Sequence, residues 1–313
     1  MTDPLLVSLP GAALRDALLA TEPLPENVDL IEWKLDGPPP TAPGQRIDIV
    51  VPPYMGASER LGALAGVPVR LVQSQSIGYD DVAATLPAGH VFANAASVQE
   101  TSTAELALAL VLAAQRGIPD FVRAAGEGRW APARHASLAD RRVLLLGYGG
   151  VGRAIEARLA PFEVELVRVA TRARDDDTGR IHGIDELDDL LPTAEIVIVA
   201  VPLIPETTGL VDDRFLSALP DGALVVNIAR GRVADTVAVL EHATRGRLRF
   251  ATDVTDPEPL PTGHPLFDLP NVLISPHVGG ASTAMMPRMA RLLRDQIERM
   301  SRGDEPRNVV LRT

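Results

Sequence analysis

The chain has 313 residues, and 46% of them are hydrophobic, which is enough for two domains that each bury a core. The absence of cysteine excludes disulfides, thiolate metal sites and a cysteine nucleophile. The formal net charge of −11 argues against a nucleic-acid partner, and Lys34 as the sole lysine nearly excludes lysine catalysis. We therefore predict no metal ion and no nucleic-acid partner.

Hydropathy along the chain gives no sign of a membrane or export signal. No apolar run reaches the roughly 18 residues that a membrane helix needs. Residues 1–10 place no basic region ahead of their short apolar stretch, as a secretion signal would. The sequence predicts a cytoplasmic protein without a membrane partner.

Short apolar runs alternate with helical patterns along most of the chain. The runs are rich in Val, Ile and Leu and lack polar alternation, which is typical of parallel strands covered on both faces. We predict strands at residues 47–51, 67–72, 143–146, 164–169, 196–201, 224–228 and 272–274. We predict helices between several of them, at residues 151–159, 184–191 and 233–245. This alternation indicates a doubly wound α/β architecture.

Two longer helices bracket the middle of the chain, at about residues 101–116, with Thr101 or Ser102 as N-cap, and 283–300. The second has an apolar stripe and an arginine side, formed by Met289, Leu292, Leu293 and Ile297 and by Arg291, Arg294 and Arg299. We predict a Rossmann-type doubly wound parallel sheet, residues 100–282, inserted into a smaller flavodoxin-like α/β domain. Residues 1–99 and 283–313 form that substrate domain, and a cleft between the domains lets substrate meet cofactor.

A glycine fingerprint follows the predicted strand at residues 143–146. Residues 143–152 read VLLLGYGGVG, in which Gly147, Gly149 and Gly152 form G-x-G-x-x-G at the start of a helix. The first glycine permits a tight turn, the second lets the backbone approach a pyrophosphate, and the third lets helix and strand pack closely. The helix N-terminus adds free N–H groups. This context favours dinucleotide binding over a purely structural turn.

The acid that normally binds the ribose of NAD is missing. It is expected about 20 residues after the fingerprint, where this chain has Ala170 followed by Thr171, Arg172 and Arg174. Cationic donors suit a 2′-phosphate, which an acid would repel. The pattern favours NADP over NAD; the alternative is an arginine-rich surface loop, with NAD still possible.

Three side chains suit reduction of a keto acid. His277 follows a predicted strand and precedes Gly-Gly, and histidine is the side chain that most readily exchanges protons near neutrality. Glu258 can hydrogen-bond the imidazole, and Arg230 offers a fork for a carboxylate. Each has a structural alternative: a strand cap, a solvated turn and a surface ion pair. We predict that the remaining histidines lie at the surface: His90, His135, His182, His242 and His264.

Several motifs together resemble one family. Residues 201–210 read VPLIPETTGL, 225–235 VVNIARGRVAD, 251–260 ATDVTDPEPL and 275–282 SPHVGGAS. With the fingerprint, they resemble the D-2-hydroxyacid dehydrogenases, which include hydroxypyruvate/glyoxylate reductases and D-3-phosphoglycerate dehydrogenases. The likeness extends from about residue 70 to 285 and is weak over the first 65 residues.

The resemblance implies further roles. It assigns the carboxylate clamp, the histidine partner and the acid/base to Arg230, Glu258 and His277. It implies cofactor contacts at Gly150, Val151, Val201, Pro202, Thr207, Ile228, Ala229, Asp253 and Gly279, with Asp253 near the nicotinamide carboxamide. It also implies that backbone N–H groups of Ser76, Ile77 and Gly78 hold the substrate carboxylate. A homodimer is expected, with residues 106–114 near its interface.

These observations predict an NADPH-preferring reductase of small 2-keto acids, such as glyoxylate or hydroxypyruvate, with D stereochemistry. Two alternatives stay open. One is a dinucleotide-sensing binding protein of the same fold with little turnover. The other is a D-3-phosphoglycerate-type dehydrogenase that uses NAD.

Overall fold

The computed structural model describes residues 4–20 and 22–313, so Met1–Asp3, part of the segment examined for a secretion signal, lie outside the described residues. The chain divides into two compact units. We call Met1–Gln99 with Ala281–Thr313 the terminal unit, and Glu100–Gly280 the central unit.

The regular elements of the described residues alternate between strand and helix. The strands are β1 (Leu5–Leu9), β2 (Val28–Glu32), β3 (Ile47–Val50), β4 (Val69–Gln73), β5 (Val91–Ala93), β6 (Arg142–Leu146), β7 (Glu165–Ala170), β8 (Arg174–Asp176), β9 (Gly179–Gly183), β10 (Ile196–Val199), β11 (Leu224–Asn227), β12 (Arg249–Thr252), β13 (Val272–Ile274) and β14 (Val309–Arg312). The α-helices are α1 (Ala12–Leu19), α2 (Ala57–Arg60), α3 (Val82–Thr85), α4 (Glu100–Gln115), α5 (Ile118–Gly126), α6 (Gly150–Leu159), α7 (Leu187–Leu190), α8 (Asp213–Ala218), α9 (Thr236–Thr244) and α10 (Met285–Ser301).

The terminal unit contains a sheet of order β14-β5-β4-β3-β1-β2. Its strands are parallel except β14, which runs antiparallel to β5. The order β2-β1-β3-β4-β5 is that of flavodoxin-like folds. β1 and β3 are buried along their whole length, and α1 and α10 share one core on this sheet.

The central unit contains a sheet of order β13-β12-β11-β10-β6-β7-β9-β8, parallel except for β8. If β8 is left out and the strands are renumbered in chain order from β6 as strand 1, the run β9-β7-β6-β10-β11-β12 reads 3-2-1-4-5-6, which is the Rossmann order. β10 and β11 are completely buried, because α4 and α6 cover one face and α8 and α9 the other. The predicted architecture, a doubly wound sheet inserted into a smaller flavodoxin-like domain, is confirmed.

The ends of the strands in the central sheet are aligned. Leu146, Val199, Asn227 and Thr252 pair in register across β6, β10, β11 and β12, and Ile274 of β13 pairs with Thr252. The segments that follow these residues therefore leave the sheet at one edge. In open α/β sheets, this carboxyl edge is where ligands bind.

Several predicted boundaries are wrong for local reasons. α4 begins at Glu100, so Thr101 and Ser102 lie inside the helix and do not cap it. α9 begins only at Thr236, because the Asp235 side chain accepts the N–H groups of its first turn. Residues 184–191 form the single turn of α7 flanked by 3₁₀ turns, not one helix.

The predicted exposed arginine side of the last helix is partly wrong. Met289, Leu293 and Ile297 of α10 are buried as expected. Arg294, however, is half-buried and donates to the carbonyl oxygens of Leu18 (2.7 Å) and Pro23 (3.0 Å). The last carbonyl groups of α1 have no N–H donor within the helix, and the Arg294 guanidinium donates to one of them, that of Leu18.

Two of the histidines predicted at the surface are buried. His242 is 2% exposed because it lies between α9 and α8, where Nε2 is 2.9 Å from Asp213 Oδ1 and Nδ1 accepts from Arg247 Nε. His90 is 5% exposed, with Nδ1 3.0 Å from the carbonyl oxygen of Pro87. The other three are half-buried. The polar sequence around both residues lacks the apolar signal that predicts burial. The His242 ring is satisfied by hydrogen bonds at both nitrogens, whereas Nε2 of the buried His90 has no partner among the described residues.

The hairpin of β8 and β9 was not predicted. Its sequence, RDDDTGRIHG, is polar, and β8 forms the exposed edge of the sheet. An edge strand that faces solvent carries no run of Val, Ile and Leu, so hydrophobic patterning does not detect it.

Acid is expected to destabilise the chain through Glu186, whose carboxylate accepts from Gly183 N–H (2.8 Å), His182 Nδ1 (2.7 Å) and Arg180 Nη2 (3.1 Å). These contacts, that of Gly183 first, lower its pKa from 4.5 to about 2. A carboxyl whose pKa is depressed on folding stabilises the protein above its unfolded pKa, and the stabilisation is lost as the pH falls through the folded value.

The measurement is urea unfolding of the wild type and of a Glu186→Gln variant at several pH values. The variant should be less stable at pH 7, and the difference should shrink as the pH falls from about 4.5 to 2. A difference that is independent of pH would contradict this role of the carboxylate.

Candidate active site

Two glycines of the fingerprint turn lie so close to neighbouring backbone that no side chain fits there. Gly147 has φ +107°, and a Cβ there would lie 2.5 Å from the carbonyl oxygen of Ala200. A Cβ on Gly152 would lie 2.2 Å from the carbonyl oxygen of Gly147. Any side chain at either position would therefore displace backbone, which is why the turn between β6 and α6 needs glycine.

The middle of the fingerprint is open. A Cβ on Gly149 would meet no atom of the described residues within 4 Å, and no side chain caps α6 at this residue. The first N–H groups of a helix have no intrahelical acceptor, and an anion can take that place. The turn therefore fits the pyrophosphate of a dinucleotide.

The end of β7 carries cations and no acid. The strand ends at the half-buried Ala170, and Thr171, Arg172 and Arg174 are exposed. Arg174 Nη1 lies 3.4 Å from the carbonyl oxygen of Arg172. Across residues 4–20 and 22–313, neither guanidinium forms an ion pair with a carboxylate. Both charges are therefore available to an anionic group.

His277 and Glu258 meet directly. Nδ1 of His277 lies 2.5 Å from Oε1 of Glu258, and both side chains are exposed. A carboxylate can only accept, so Nδ1 carries the proton and Nε2 is left to exchange a proton with a ligand. His277 has φ +53°, a left-handed conformation that is uncommon outside glycine and that clusters at functional sites.

Asp253 holds the His277 loop. Its carboxylate is 2% exposed and accepts the N–H groups of Val278 (2.9 Å) and Gly279 (2.8 Å) and the hydroxyl of Ser275 (2.7 Å). Its carbonyl oxygen accepts from His277 N–H at 2.7 Å. These bonds fix the backbone on both sides of the histidine. A place for Asp253 beside the nicotinamide stays a prediction.

The turn that carries Arg230 is built by Asn227 and Gly231. Asn227 Nδ2 donates to the Arg230 carbonyl oxygen, and its Oδ1 accepts from Ala229 N–H, both at 3.0 Å. A Cβ on Gly231 would lie 1.9 Å from the carbonyl oxygen of Thr255. The Arg230 turn therefore lies against the segment that leads to Glu258.

The other predicted cofactor residues follow the ends of β6, β10, β11 and β13. Thr207 is buried, and its hydroxyl donates to the Pro202 carbonyl oxygen at 2.6 Å, which closes the turn after Val201. A Cβ on Gly279 would approach Thr103. Of the remaining predicted residues, Ile228 and Ala229 are buried, Val151 is half-buried and Gly150 is exposed. Their contacts with a cofactor stay predictions.

The predicted carboxylate loop of the terminal unit is partly occupied by internal hydrogen bonds. Ser76 N–H donates to Ser74 Oγ at 3.0 Å, and Ile77 N–H donates to Gln99 Oε1 at 3.3 Å. Within the described part of the chain, Gly78 N–H has no acceptor. The loop therefore offers one N–H group, not three, unless the side-chain acceptors move.

Sequence reasoning assigned no role to Asn227 and Ser275, although both were in the quoted motifs. Each lies at or just past the carboxyl end of a strand. Asn227 hydrogen-bonds the turn that carries Arg230, and Ser275 donates to Asp253, which anchors the His277 loop. An Asn that ends a strand two residues before Ala-Arg-Gly signals a side-chain-closed turn, and that signal was available.

Two structural absences apply to the described residues. No group of three His, Asp or Glu side chains is placed to hold a metal ion. No helix there is both long and apolar enough to cross a membrane.

Fold and site together define a class: a two-unit α/β protein with a glycine-rich turn suited to a dinucleotide and a hydrogen-bonded His–Glu pair at the carboxyl edge of one sheet. The sequence profile for the D-isomer specific 2-hydroxyacid dehydrogenase, NAD binding domain, matches residues 108–279. The chain belongs to the D-isomer specific 2-hydroxyacid dehydrogenase family, and the resemblance seen in its motifs is confirmed.

Individual relatives agree with this assignment. The chain is 30% identical over 257 residues to a glyoxylate reductase of Korarchaeum cryptofilum, a match that covers 79% of this chain and 77% of the relative. It is 30% identical over 250 residues to a D-3-phosphoglycerate dehydrogenase of Archaeoglobus fulgidus, covering 77% of this chain and 47% of that longer protein.

One solved structure matches along nearly the whole chain. It is a D-isomer specific 2-hydroxyacid dehydrogenase from Xanthobacter autotrophicus Py2 in complex with NADPH and MES. Its TM-score is 0.82 at 29% identity, with 99% of this chain and 98% of that chain covered.

Proposed function

We propose that the protein is an NADPH-preferring reductase that converts a small 2-keto acid, such as glyoxylate or hydroxypyruvate, into the D-2-hydroxy acid. The observation that carries the proposal is the 2.5 Å contact between His277 Nδ1 and Glu258 Oε1 at the carboxyl edge of the central sheet. The Arg230 turn lies against the segment that leads to this pair.

Each of the three side chains has a defined task in this proposal. The Arg230 guanidinium binds the substrate carboxylate and polarises the keto oxygen. His277 donates the Nε2 proton to that oxygen, and Glu258 holds the ring and stabilises the charged imidazole before the transfer. A bound nicotinamide cofactor supplies the hydride. In the oxidative direction, His277 Nε2 takes the proton from the hydroxyl.

The preference for NADPH is proposed from the end of β7. Ala170 offers no carboxylate to a ribose 2′-hydroxyl, and Arg172 and Arg174 lie exposed without ion-pair partners in the described part of the chain. A 2′-phosphate supplies the missing negative charge. The NADPH complex of the Xanthobacter relative supports the same preference.

The substrate is proposed to be small and anionic. The glyoxylate reductase relative supports a keto acid as small as glyoxylate. We further propose that residues 1–99 and 283–313 form the substrate domain and residues 100–282 the dinucleotide-binding domain. In the substrate domain, Gly78 N–H contributes to carboxylate binding beside Ser76 and Ile77.

The test is a substrate panel. Purified protein is given glyoxylate, hydroxypyruvate, pyruvate and 3-phosphohydroxypyruvate, each with NADPH and with NADH, and cofactor absorbance is followed. Turnover of at least one unphosphorylated keto acid with NADPH is expected. No turnover on any keto acid would overturn the proposal, and turnover restricted to the phosphorylated substrate with NADH would favour a phosphoglycerate-type enzyme.

Replacing Arg172 with alanine is expected to raise the NADPH KM roughly 10-fold, because a charge-assisted bond to the 2′-phosphate is lost. The NADH KM should stay within about 2-fold, since NADH carries no such phosphate. Arg245→Ala, which removes an exposed guanidinium paired with Glu241 on α9, is the control. An unchanged NADPH KM, or a lower wild-type KM for NADH than for NADPH, would contradict this assignment.

A homodimer is also proposed. Residues 106–114 belong to α4, which packs on α6 and the sheet. Exposed apolar side chains lie instead on α5 and just after it, where Val122 is 66% and Trp130 96% exposed. Such a patch favours a partner surface. Sedimentation equilibrium should give twice the mass of the chain, and a monomer at micromolar concentration would contradict the proposal.

A further inference from the structure

Six side chains form a closed circuit beside the fingerprint. They come from the fingerprint turn, α6, β7 and the hairpin of β8 and β9. We call this set the Tyr148 circuit: Tyr148, Arg153, Glu156, Arg168, Asp176 and Thr178. None of these side chains belongs to the proposed catalytic set.

One half of the circuit joins the fingerprint to the hairpin through β7. Tyr148 Oη donates to Glu156 Oε2, and Arg168 donates from Nε to Glu156 Oε1 at 2.6 Å and also from Nη2. Arg168 Nη1 donates to the carbonyl oxygen of Thr178, in the turn between β8 and β9, at 3.2 Å.

The other half returns from the hairpin to the fingerprint through α6. Thr178 donates to Asp176 Oδ1 from its N–H (2.9 Å) and from its hydroxyl (2.6 Å). Asp176 Oδ2 lies 3.6 Å from Arg153 Nη1, and the Arg153 guanidinium lies 4.8 Å from the centre of the Tyr148 ring. The last contact is a cation–π interaction and closes the circuit.

The half of the circuit that contains Tyr148, Glu156 and Arg168 is largely removed from water, whereas Arg153 is 57% exposed and Thr178 is exposed as well. Tyr148 is 6% exposed, and the side chains of Arg168 and Glu156 are 15% and 18% exposed. Burial first, and then the bond to Glu156, raises the pKa of Tyr148. The two bonds from Thr178 are the main cause of the lowered pKa of Asp176. At neutral pH, Tyr148 therefore keeps the proton that it donates, and Asp176 is ionised.

The circuit lies on the same face of the sheet as the second proposed phosphate ligand. Arg168 of β7 pairs with Ile181 of β9, and Ile181 pairs with Arg174 of β8. Paired residues point to the same face of a sheet. Ile181 is fully buried in the core beneath α6, so Arg174 projects from the same face as Arg168, two strands away and with Ile181 between them.

Outside the circuit, β9 is held by the burial of Ile181 and by the bonds of Glu186 to Arg180, His182 and Gly183, so β8 and the turn are the less anchored part of the hairpin. β8 pairs with β9 alone, and β9 pairs with β7 over three residues. Edge hairpins of this kind belong to the less stable parts of a protein and open locally. The circuit ties the hairpin turn to α6 and to the fingerprint, which are packed in the core.

We propose that the Tyr148 circuit positions the arginine segment, Arg172 to Arg174, for the 2′-phosphate of NADPH, and so determines cofactor discrimination without contacting the cofactor. The inference rests on the proposed NADPH preference. Arg168 and Tyr148 are positioning residues: they set where the hairpin lies. The phosphate is bound by the exposed Arg174, which begins β8, and by Arg172 just before it.

The experiment compares Arg168→Ala, Arg168→Lys and Tyr148→Phe with the wild type. Two quantities are measured: the Kd of NADPH and of NADH by titration calorimetry, and amide hydrogen exchange of residues 174–183 without cofactor. Arg141→Ala, which breaks an ion pair with Glu195 outside the circuit, is the matched control.

Arg168→Ala is expected to weaken NADPH binding roughly 10-fold, to change NADH binding by less than about 2-fold, and to speed exchange in the hairpin about 10-fold. Arg168→Lys should recover part of the NADPH affinity, because it keeps the charge but only one donor position. Tyr148→Phe loses the hydroxyl but keeps the ring that Arg153 contacts. It should also weaken NADPH binding more than NADH binding, by a smaller factor than Arg168→Ala. The control should change neither quantity.

Equal weakening of NADPH and NADH in Arg168→Ala would overturn the inference, because the circuit would then serve only the fold. An unchanged NADPH Kd with faster hairpin exchange would overturn it as well. If Arg168→Ala does not fold, the same two comparisons are made on Tyr148→Phe. The proposed function fails separately, if the wild type itself binds NADH at least as tightly as NADPH.

Discussion

Replacing His277 with alanine is expected to lower kcat for keto-acid reduction by about 10²–10⁴-fold, the usual contribution of a positioned general acid. The structure leaves Nε2 as the nitrogen that exchanges a proton, because Nδ1 is bonded to Glu258 Oε1 at 2.5 Å. Asp253 fixes the backbone on both sides of the ring. The measurement is the steady-state rate with saturating NADPH.

Two further results separate chemistry from folding. The free energy of unfolding and the NADPH Kd should be nearly unchanged in His277→Ala, because the side chain is 46% exposed and bonds to Glu258, which is itself exposed. His264→Ala is the matched control, since His264 is half-buried and only accepts from Leu266 N–H at the start of a 3₁₀ turn. Full activity in His277→Ala would remove the histidine from the mechanism.

Replacing Gly231 with alanine is expected to damage both stability and activity. The added Cβ would lie 1.9 Å from the carbonyl oxygen of Thr255, and backbone on both sides must move to relieve the clash. Forced overpacking costs about 1–3 kcal/mol of unfolding free energy. The movement would also shift Arg230 against the Glu258 segment, and misplacement of about 1 Å can cost roughly 10²-fold in rate.

The control for Gly231→Ala is the same substitution at a glycine that has no close neighbour. Gly126 ends α5, and a Cβ there would meet no described atom within 4 Å. Gly126→Ala should leave kcat/KM unchanged and stability equal or slightly higher. Urea unfolding and kcat/KM are measured on both variants. Wild-type stability and kcat/KM in Gly231→Ala would show that the contact with Thr255 does not hold the Arg230 turn.

Hydrophobic patterning predicted the fold where strands are buried. β10 and β11, with the sequences IVIV and LVVN, are fully buried, and the architecture followed from such segments. Hydrophobic patterning does not detect a strand that faces water, so it did not predict the β8–β9 hairpin. Nor does it detect a polar ring that is buried with partners, as for His242 between Asp213 and Arg247.

The candidate site was predictable to the level of residue type and position after a strand. The hydrogen bond predicted between His277 and Glu258 is present in the structure. The contacts that hold these residues in place were not predictable, because they join segments that only the fold brings together. Examples are the bonds of Asp253 to the His277 loop and the close approach of Gly231 to Thr255. The Tyr148 circuit likewise joins four elements that no local pattern relates.

The most direct test of the account is the product formed from hydroxypyruvate. The wild-type protein is incubated with hydroxypyruvate and NADPH, and glycerate is quantified by chiral chromatography together with the NADPH consumed. The expected product is D-glycerate in equal amount to the NADPH oxidised, formed at least about 10²-fold more slowly by His277→Ala. L-glycerate, or glycerate formed equally well by His277→Ala, would contradict the account.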